Sequence, residues 1–406
     1  MLPAANCSVC GYPLDQVLRA ESYPLITSAC CSKTDVPLLP LVVGLCRMCS
    51  HIQLMERPTP EQLNLIYLGD YTSVLEKGTF EKDDNMAVEC KTFLDFAMDG
   101  SFNKGARILE IGCFDGAFLS LFGEEYILLG AEPNPMGKVA AEHHRVQVVP
   151  KYFSPNDFTA SSIDLVIMRH LIEHIPEPLK ILEDCRKVLK SGGRLLIETP
   201  WIEHTLTNNV IGNFYHQHLH YFSRDSLTVL LERAGFAVVA RGYKDFRQFV
   251  LAAPSGTQHE RTRPLPYAET IRCQMDSYNS YLEDLRSGIQ SWLESMEEPL
   301  AIYGASSIAT GIVHLGGVPK ERLAYLVDGD LRKQNMILPA TEAFVRSPNH
   351  LLEEPVGAVF VASDFFKDEI IGLLRGNYSD TVHCCIVVHP KFKVLNIREP
   401  VSNTDG

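Results

Sequence analysis

The stretch Ala106–Pro135, ARILEIGCFDGAFLSLFGEEYILLGAEPNP, decides the fold of this chain. Its apolar run Ile108–Ile111 predicts a buried strand that stops at Gly112. Gly116 follows, and the apolar residues between 117 and 121 predict the start of a helix. A glycine turn between a strand and a helix lets a ligand approach the backbone and directs free N–H groups at it. The stretch therefore predicts a ligand site at the end of a strand in an α/β unit.

A second apolar run, Ile127–Gly130, leads to Glu132. An acidic residue about 20 residues after the glycine turn is placed to accept hydrogen bonds from ribose hydroxyls. The spacing Glu110-x-Gly112-x-x-x-Gly116 differs from the dinucleotide pattern G-x-G-x-x-G. It resembles the first motif of class I S-adenosylmethionine (SAM)-dependent methyltransferases. The alternative is a βα unit whose glycine turn binds nothing.

The elements that follow strengthen the first interpretation. Residues 164–168 predict a buried strand, a helix runs to Leu189, the turn Ser191–Gly193 follows, and residues 194–200 predict another strand. This alternation predicts a doubly wound α/β sheet that binds ligands at the carboxyl ends of its strands. The predicted SAM-binding residues are Glu110, Gly112, Phe114, Gly116, Glu132, Tyr152, Phe153, Arg169 and His170, with Tyr152 and Phe153 near the adenine and Arg169 and His170 near the methionine end.

The composition of the chain excludes some classes of binding partner and some cellular compartments. The chain has 406 residues and a formal net charge of -13, which argues against nucleic acid or an anionic membrane as the main partner. The longest apolar stretch, Leu38–Leu45, contains a proline and is too short to span a bilayer. No secretory signal opens the sequence. We therefore expect a cytoplasmic enzyme of two or three domains that acts on a small molecule.

The N-terminal segment carries two CxxC pairs, Cys7 with Cys10 and Cys46 with Cys49. Four thiolates suffice for one tetrahedral zinc ion, and a shell closed by four protein ligands indicates a structural site. Cys30 and Cys31 are adjacent and are either buried thiols or an alternative source of one ligand. The sequence therefore predicts a structural Zn²⁺ held by Cys7, Cys10, Cys46 and Cys49.

The stretch 213–223, NFYHQHLHYFS, concentrates histidine and tyrosine. If it is extended, His216, His218 and His220 share one face. Three interpretations compete, namely a catalytic cluster over the cofactor, a second metal site, and structural histidines. Ser223 is expected to cap a helix that Gly235 ends.

Together these motifs resemble the zinc-containing sugar C-methyltransferases, over most of the chain. The resemblance rests on the two CxxC pairs, the Glu110-x-Gly112 turn, Arg169-His170-x-x-Glu173-His174, and Tyr215-His216-x-His218-x-x-Tyr221. It implies C-methylation next to the ketone of a nucleotide-linked 4-keto deoxysugar in natural-product biosynthesis. It places substrate handling and proton abstraction on Tyr215, Gln217 and His218. We expect His218 to act as the base and Tyr215 or His216 to donate to the enolate oxygen. Gln217 replaces the glutamate of the family, and residues 243–248 lack its Gly-Gly-Ser.

The rest of the chain predicts a helical connector and a second Rossmann-like unit. Residues 300–307, LAIYGASS, form a strand and glycine turn that either bind a nucleotide or serve a structural or dimerising role. We expect a zinc-binding segment at 1–57, a SAM-dependent core at 58–255, a connector at 256–298 and a smaller Rossmann-like domain at 299–406. The alternative activity is O- or N-methylation of another natural-product small molecule, and a scaffold with a vestigial cofactor site is the rival outside enzymes.

Overall fold

The computed structural model of the protein describes residues 1–29, 36–67, 81–98, 102–256 and 267–398. Cys30 and Cys31 lie outside these ranges. The N-terminal segment is built from short antiparallel strands: β1 (Leu2–Pro3), β2 (Leu14–Pro24), β3 (Leu38–Cys46), β4 (Ile52–Leu54) and β5 (Glu56–Arg57). Strands β2, β3 and β4 form one sheet, and β1 pairs with β5. Two helices then lead to the central domain: α1 (Pro60–Tyr67) and α2 (Glu81–Met98).

The central domain is a seven-stranded sheet with the doubly wound topology that the sequence predicts. Its strands are β6 (Arg107–Ile111), β7 (Ile127–Ala131), β8 (Gln147–Val149), β9 (Ile163–Arg169), β10 (Leu189–Pro200), β12 (Phe236–Lys244) and β13 (Arg247–Pro254). The spatial order is β12-β13-β10-β9-β6-β7-β8, and only the last two strands in sequence run antiparallel to their neighbours. The helices of this domain are α3 (Gly137–His143), α4 (Pro178–Val188), α5 (Ile202–Thr207) and α6 (Arg224–Arg233).

Two local predictions differ from the structure. The helix expected after Gly116 is only a 3₁₀ turn at Leu119–Leu121, because Gly123 follows at once and the chain returns to β7. The histidine-rich stretch is not extended along its length, since its strand β11 covers His220–Tyr221 alone. His216, His218 and His220 therefore do not line one face of a strand.

Strand β11 joins the N-terminal sheet and not the central one. His220 pairs with Gln53 and Tyr221 pairs with Ile52, so the order of the N-terminal sheet is β11-β4-β3-β2. Ser223 caps α6 with its hydroxyl, which accepts from the Ser226 N–H, as predicted. The zinc-binding segment and the histidine-rich stretch are thus parts of one sheet.

The long helix α7 (Ala268–Glu294) leads to a second parallel sheet. This sheet contains β14 (Leu300–Tyr303), β15 (Leu323–Val327), β16 (Val345–Arg346), β17 (Val356–Val361), β18 (Val382–Val387) and the antiparallel β19 (Lys393–Asn396). Its helices are α8 (Ser307–His314), α9 (His350–Glu353) and α10 (Lys367–Asn377). The predicted α/β class is confirmed for both domains.

One hydrophobic core crosses the boundaries between these parts. It contains side chains of the N-terminal sheet, of residues 202–221, of one face of α7, and of the C-terminal sheet. The predicted connector is thus largely buried on one side. Among the described residues, none of the helices combines the length and the hydrophobicity that crossing a bilayer requires.

Candidate active site and zinc centre

The four predicted zinc ligands come together. The Sγ atoms of Cys7 and Cys49 lie 3.6 Å apart, those of Cys10 and Cys46 lie 3.3 Å apart, and all four lie within 4.8 Å of one another. A tetrahedral ion with Zn–S bonds of 2.3 Å separates its sulfur atoms by about 3.8 Å. Cys7, Cys46 and Cys49 are buried. The cluster therefore fits a closed structural zinc site.

The backbone of the two cysteine turns is nearly identical, which explains why their sulfur atoms converge. In the first turn the Gly11 N–H donates to the Cys7 carbonyl, and in the second the Ser50 N–H donates to the Cys46 carbonyl. Gly11 has φ 82° and Ser50 has φ 57°, so both occupy the left-handed region that closes such a turn. The Ser50 hydroxyl contacts the Cys49 carbonyl and the Ser223 hydroxyl.

The glycine turn after β6 has the conformation that its sequence requires. Gly112 and Gly116 have φ 75° and 78°. A Cβ at Gly116 would lie 2.8 Å from the Cβ of Ala140 on α3, and one at Gly112 would lie 3.3 Å from Leu171. Phe114 also has a positive φ, of 45°. The turn therefore needs glycine both for its backbone and for its close packing.

Two acidic side chains lie at this end of the sheet. Glu132 follows β7 and is buried, and its carboxylate accepts the N–H groups of Phe114 and Asn134 at 2.9 and 2.8 Å. Burial raises the pKa of Glu110 to about 8, against the opposing charge of Arg169. Glu110 Oε2 has no hydrogen-bond partner among the described residues. The buried, unpartnered carboxyl and the carboxylate beside the glycine turn fit a polar cofactor such as SAM.

The residues predicted near the adenine differ in exposure. Tyr152 is 65% exposed, whereas Phe153 is half-buried and its ring lies 5.8 Å from that of Phe158. Both follow β8, which pairs with β7, the strand that precedes Glu132. Their contact with adenine stays a prediction.

Behind the turn lies a buried cluster of charges centred on Glu198 at the end of β10. Its carboxylate accepts from Arg169 Nε at 2.6 Å and from an Arg247 guanidinium nitrogen at 2.9 Å. His170 Nε2 lies 3.6 Å from the same carboxylate. Burial opposes ionisation, but His170 and Arg169 hold the pKa of Glu198 at about 2. Arg247 also pairs with Glu89 of α2, so one guanidinium ties this helix to the sheet.

A second buried carboxylate connects this cluster to the histidines. Glu173 accepts from the Thr199 hydroxyl at 3.0 Å, and His170 Nδ1 lies 3.6 Å from it. Burial alone would raise the pKa of Glu173, but His170 and His174 lower it to about 2. Burial likewise works against the charge on His170, yet Glu173 and Glu198 raise its pKa to about 9. At neutral pH the structure thus holds an imidazolium between two carboxylates.

His218 lies beside this ion pair and bonds to Tyr215. The Tyr215 hydroxyl is 2.8 Å from His218 Nε2, and the His174 ring is in edge contact with the His218 ring. Burial, reinforced by the charge of His174, lowers the pKa of His218 to about 3. The imidazole is therefore neutral at physiological pH. His218 and Tyr215 line one pocket, together with Pro200, Trp201, Ile202, Thr205, Asn213, His220, Tyr221 and Phe246.

The other two predicted catalytic side chains are placed differently. His216 is fully buried, and its ring nitrogens lie 3.2 and 3.1 Å from the carbonyl oxygens of Pro24 and Pro40. These contacts anchor it in the N-terminal sheet, so the structure does not bring it to Tyr215 and His218 as a second donor. Gln217 is buried, and its backbone carbonyl accepts from His174 Nδ1 at 2.8 Å.

Several residues of the site were not predicted. Glu173 and His174 belong to the motif Arg169-His170-x-x-Glu173-His174, but the sequence predicts no role for either of them. Glu198, Thr199 and Arg247 are buried polar residues within apolar strands, which is the only signal that the sequence holds for them. Glu198 and Arg247 come together because β10 and β13 pair near these residues.

Comparisons with known proteins agree with this architecture. Residues 83–241 match the family model described as a methyltransferase domain, and residues 258–388 match the one described as a C-methyltransferase C-terminal domain. The chain is 25% identical over 379 residues to the C-methyltransferase NovU of Streptomyces niveus, and the match covers 85% of this chain and 86% of that protein.

More local similarities concern the central domain. The chain is 35% identical over 107 residues to a ubiquinone biosynthesis O-methyltransferase of Xanthomonas oryzae pv. oryzae, over 23% of this chain and 43% of that protein. A SAM-dependent methyltransferase of Aquifex aeolicus of solved structure is 18% identical, with a TM-score of 0.37, over 45% of this chain and 97% of that one. The two family models and the relative that spans both domains carry the assignment. The protein uses SAM and is a SAM-dependent methyltransferase, and it is similar over most of its length to the C-methyltransferase NovU.

Proposed function

We propose that the protein methylates the carbon next to the ketone of a nucleotide-linked 4-keto deoxysugar. The observation that carries this proposal is the half-buried, neutral His218 hydrogen-bonded to the Tyr215 hydroxyl in a pocket beside the ionised Glu173. A base and an oxyanion donor in contact suit proton removal next to a carbonyl. The similarity to a C-methyltransferase over most of the chain favours carbon as the acceptor.

His218 acts as the base in this proposal. Its neutral imidazole can accept a proton, but an imidazole with a low pKa is a weak base toward a carbon acid. Proton transfer from the carbon to His218 is therefore unfavourable unless the protein stabilises its two products, the imidazolium and the enolate. Glu173 would stabilise the new imidazolium, because one of its carboxylate oxygens lies within 4.8 Å of a His218 ring nitrogen. The Tyr215 hydroxyl would donate to the enolate oxygen.

SAM supplies an electrophilic methyl group when it is bound. The chain must hold the acceptor carbon in line with that methyl group, so its contribution to the rate of methyl transfer is to orient the substrate. Glu110, Glu132 and the Gly112–Gly116 turn would hold the cofactor, and Arg169 and His170 would lie toward its methionine end. Structural zinc at the four cysteines would take no part in the reaction.

The proposal predicts that His218→Asn lowers turnover by about 10²–10⁴-fold, because the general base is lost, while the affinity for SAM stays unchanged. The assay supplies SAM with a ¹³C-labelled methyl group and a nucleotide-linked 4-keto deoxyhexose, and NMR locates the methyl carbon. His216→Gln is the comparison, since His216 is a buried histidine of the same stretch whose ring nitrogens face backbone carbonyls and not the pocket. It should lower turnover far less.

Exchange of the substrate proton with D₂O separates proton removal from methyl transfer. Tyr215→Phe should slow this exchange as well as methylation. A methyl group found on oxygen or nitrogen, or an unchanged rate in His218→Asn, would contradict the proposal. Methyl transfer to hydroxyl or amine substrates alone would support the O- or N-methyltransferase alternative. That alternative fits the presence of glutamine at position 217, where the family has glutamate.

A further inference from the structure

A continuous backbone connection links the zinc-binding segment to the residue next to His218. The Leu54 N–H of β4 donates to the Leu219 carbonyl at 3.1 Å, and the Leu219 N–H donates to the Glu173 carbonyl at 2.9 Å. The peptide groups that flank Leu219 are therefore bonded to the N-terminal sheet on one side and to the active site on the other. Any movement of β4 would displace the chain that carries His218.

Two buried histidines lie along the same connection. Nε2 of His51 is 3.0 Å from Nδ1 of His220, and Nε2 of His220 is 3.0 Å from the Ile175 carbonyl oxygen. A carbonyl only accepts, so His220 carries its proton on Nε2 and accepts from His51 at Nδ1. Both rings are buried and pack against Phe222. This chain of bonds fixes one orientation of each ring.

Gln53 connects β4 to the first cysteine turn, that of Cys7 and Cys10. It is fully buried, its Oε1 accepts from the Ser8 N–H at 2.8 Å, and its Nε2 donates to the Asn6 carbonyl at 3.2 Å. Asn6 and Ser8 flank Cys7. His51 directly follows the second cysteine turn, so β4 receives one connection from each half of the zinc centre.

We infer that His51 and Gln53 are positioning residues, which transmit the geometry of the zinc centre to His218 and Tyr215 through β4 and β11. This rests on the proposed role of His218. His220 supports it further, because its ring lines the pocket that holds His218 and Tyr215. Neither His51 nor Gln53 lines that pocket, so both act only through the groups that they hold.

The test compares two substitutions at His51 in the full, zinc-loaded chain. His51→Phe keeps a ring but removes the donor to His220, whereas His51→Gln keeps an N–H near the position of Nε2. We expect His51→Phe to lower kcat by about 100-fold, since a misplacement of 1 Å at the reacting groups has that effect. The Kd of SAM should not change, and hydrogen exchange of residues 213–222 should become faster. His51→Gln should restore most of the turnover and the slow exchange.

Gln53→Met, which keeps the volume and removes both hydrogen bonds, provides a second variant if His51→Phe does not fold. Asn279→Ala is the matched control, because Asn279 also bonds a backbone carbonyl of this sheet, that of Val17 on β2, away from β4. It should leave exchange of residues 213–222 unchanged. Unchanged exchange in His51→Phe and Gln53→Met, or equal damage in His51→Gln and His51→Phe, would overturn the inference. If the wild type methylates no sugar, the proposed function fails, while the exchange data still decide whether these residues position the loop.

Discussion

Three histidines at alternate positions of one short stretch have three different surroundings. The ring nitrogens of His216 face the carbonyls of Pro24 and Pro40, His218 bonds to Tyr215, and His220 bonds to His51. The partners of His216 and His220 lie more than a hundred residues away in sequence. The sequence therefore indicates a functional stretch, but it cannot say which ring faces the pocket, since that depends on pairing between β11 and β4.

At the residue scale, His170 makes stability depend on pH. Its pKa of about 9 is above the value near 6.5 of an unfolded histidine, so its contribution is complete below pH 6.5 and is lost as pH rises through 9. Glu173 and Glu198, with pKa values of about 2, contribute above about pH 4.5 and lose this as pH falls through 2. The ion pairs are thus strongest between about pH 4.5 and 6.5.

We predict that the free energy of unfolding falls between pH 6.5 and 9 by on the order of 1–2 kcal/mol, allowing for partial exposure of the ring. Asparagine tolerates the φ of 46° at position 170, so His170→Asn should fold and lose the part of this slope that His170 contributes, while Glu110, with its pKa raised to about 8, contributes a fall of the same sign in both proteins. Urea denaturation across the pH range measures it. The same slope in both proteins would show that another group is responsible.

At the scale of elements, the strands that are most deeply buried are the ones that the sequence predicts best. Strands β6, β7, β9 and β10 are central and covered on both faces, so they appear in the sequence as continuous apolar runs. The two-residue strand β11 has no such pattern, and its pairing depends on a distant partner. The glycine turn was predicted to its residues, because its conformation depends only on local sequence.

Helix α2 is held against the sheet by a contact that the sequence did not predict. Arg247 is buried and joins Glu89 of α2 to Glu198 of β10. Arg247→Met should destabilise the protein by about 1.5–3 kcal/mol, because Glu198 loses the hydrogen bond from one of its three cationic partners and keeps Arg169 and His170. The affinity for SAM should also fall, since α2 shares a hydrophobic cluster with Ile108, two residues before Glu110.

Chemical denaturation and calorimetric titration with SAM measure these two effects. Glu89→Gln is the control, because Glu89 is partly exposed and its loss leaves the buried pair of Arg247 and Glu198 intact. It should be much milder. If Glu89→Gln lost as much stability and SAM affinity as Arg247→Met, the pair of Arg247 with Glu89 would be the main contribution. That result would contradict this interpretation.

At the scale of the whole molecule, the N-terminal sheet is the element that the other parts share. The Thr310 hydroxyl of α8 donates to the Thr27 carbonyl at 2.7 Å, and the ring of Tyr23 lies 5.8 Å from that of His314. Gly212 approaches α8 so closely that a Cβ there would lie 2.2 Å from the Ser307 carbonyl oxygen. The sequence predicts the central and C-terminal sheets, but it predicts neither the N-terminal sheet nor the core that joins this sheet to the C-terminal one.

This shared core predicts a long-range effect of zinc removal. Metal binding to such a site contributes folding free energy, so chelation should loosen the N-terminal sheet and with it α8 of the C-terminal domain. Hydrogen exchange of residues 307–314 should accelerate about 10-fold or more, whereas α10 should keep its protection, because its buried side chains belong to a hydrophobic cluster without residues of the N-terminal segment. Cys46→Ser should reproduce the effect without a chelator. Faster exchange confined to residues 1–57 would mean that the N-terminal sheet and α8 pack together without depending on each other for stability.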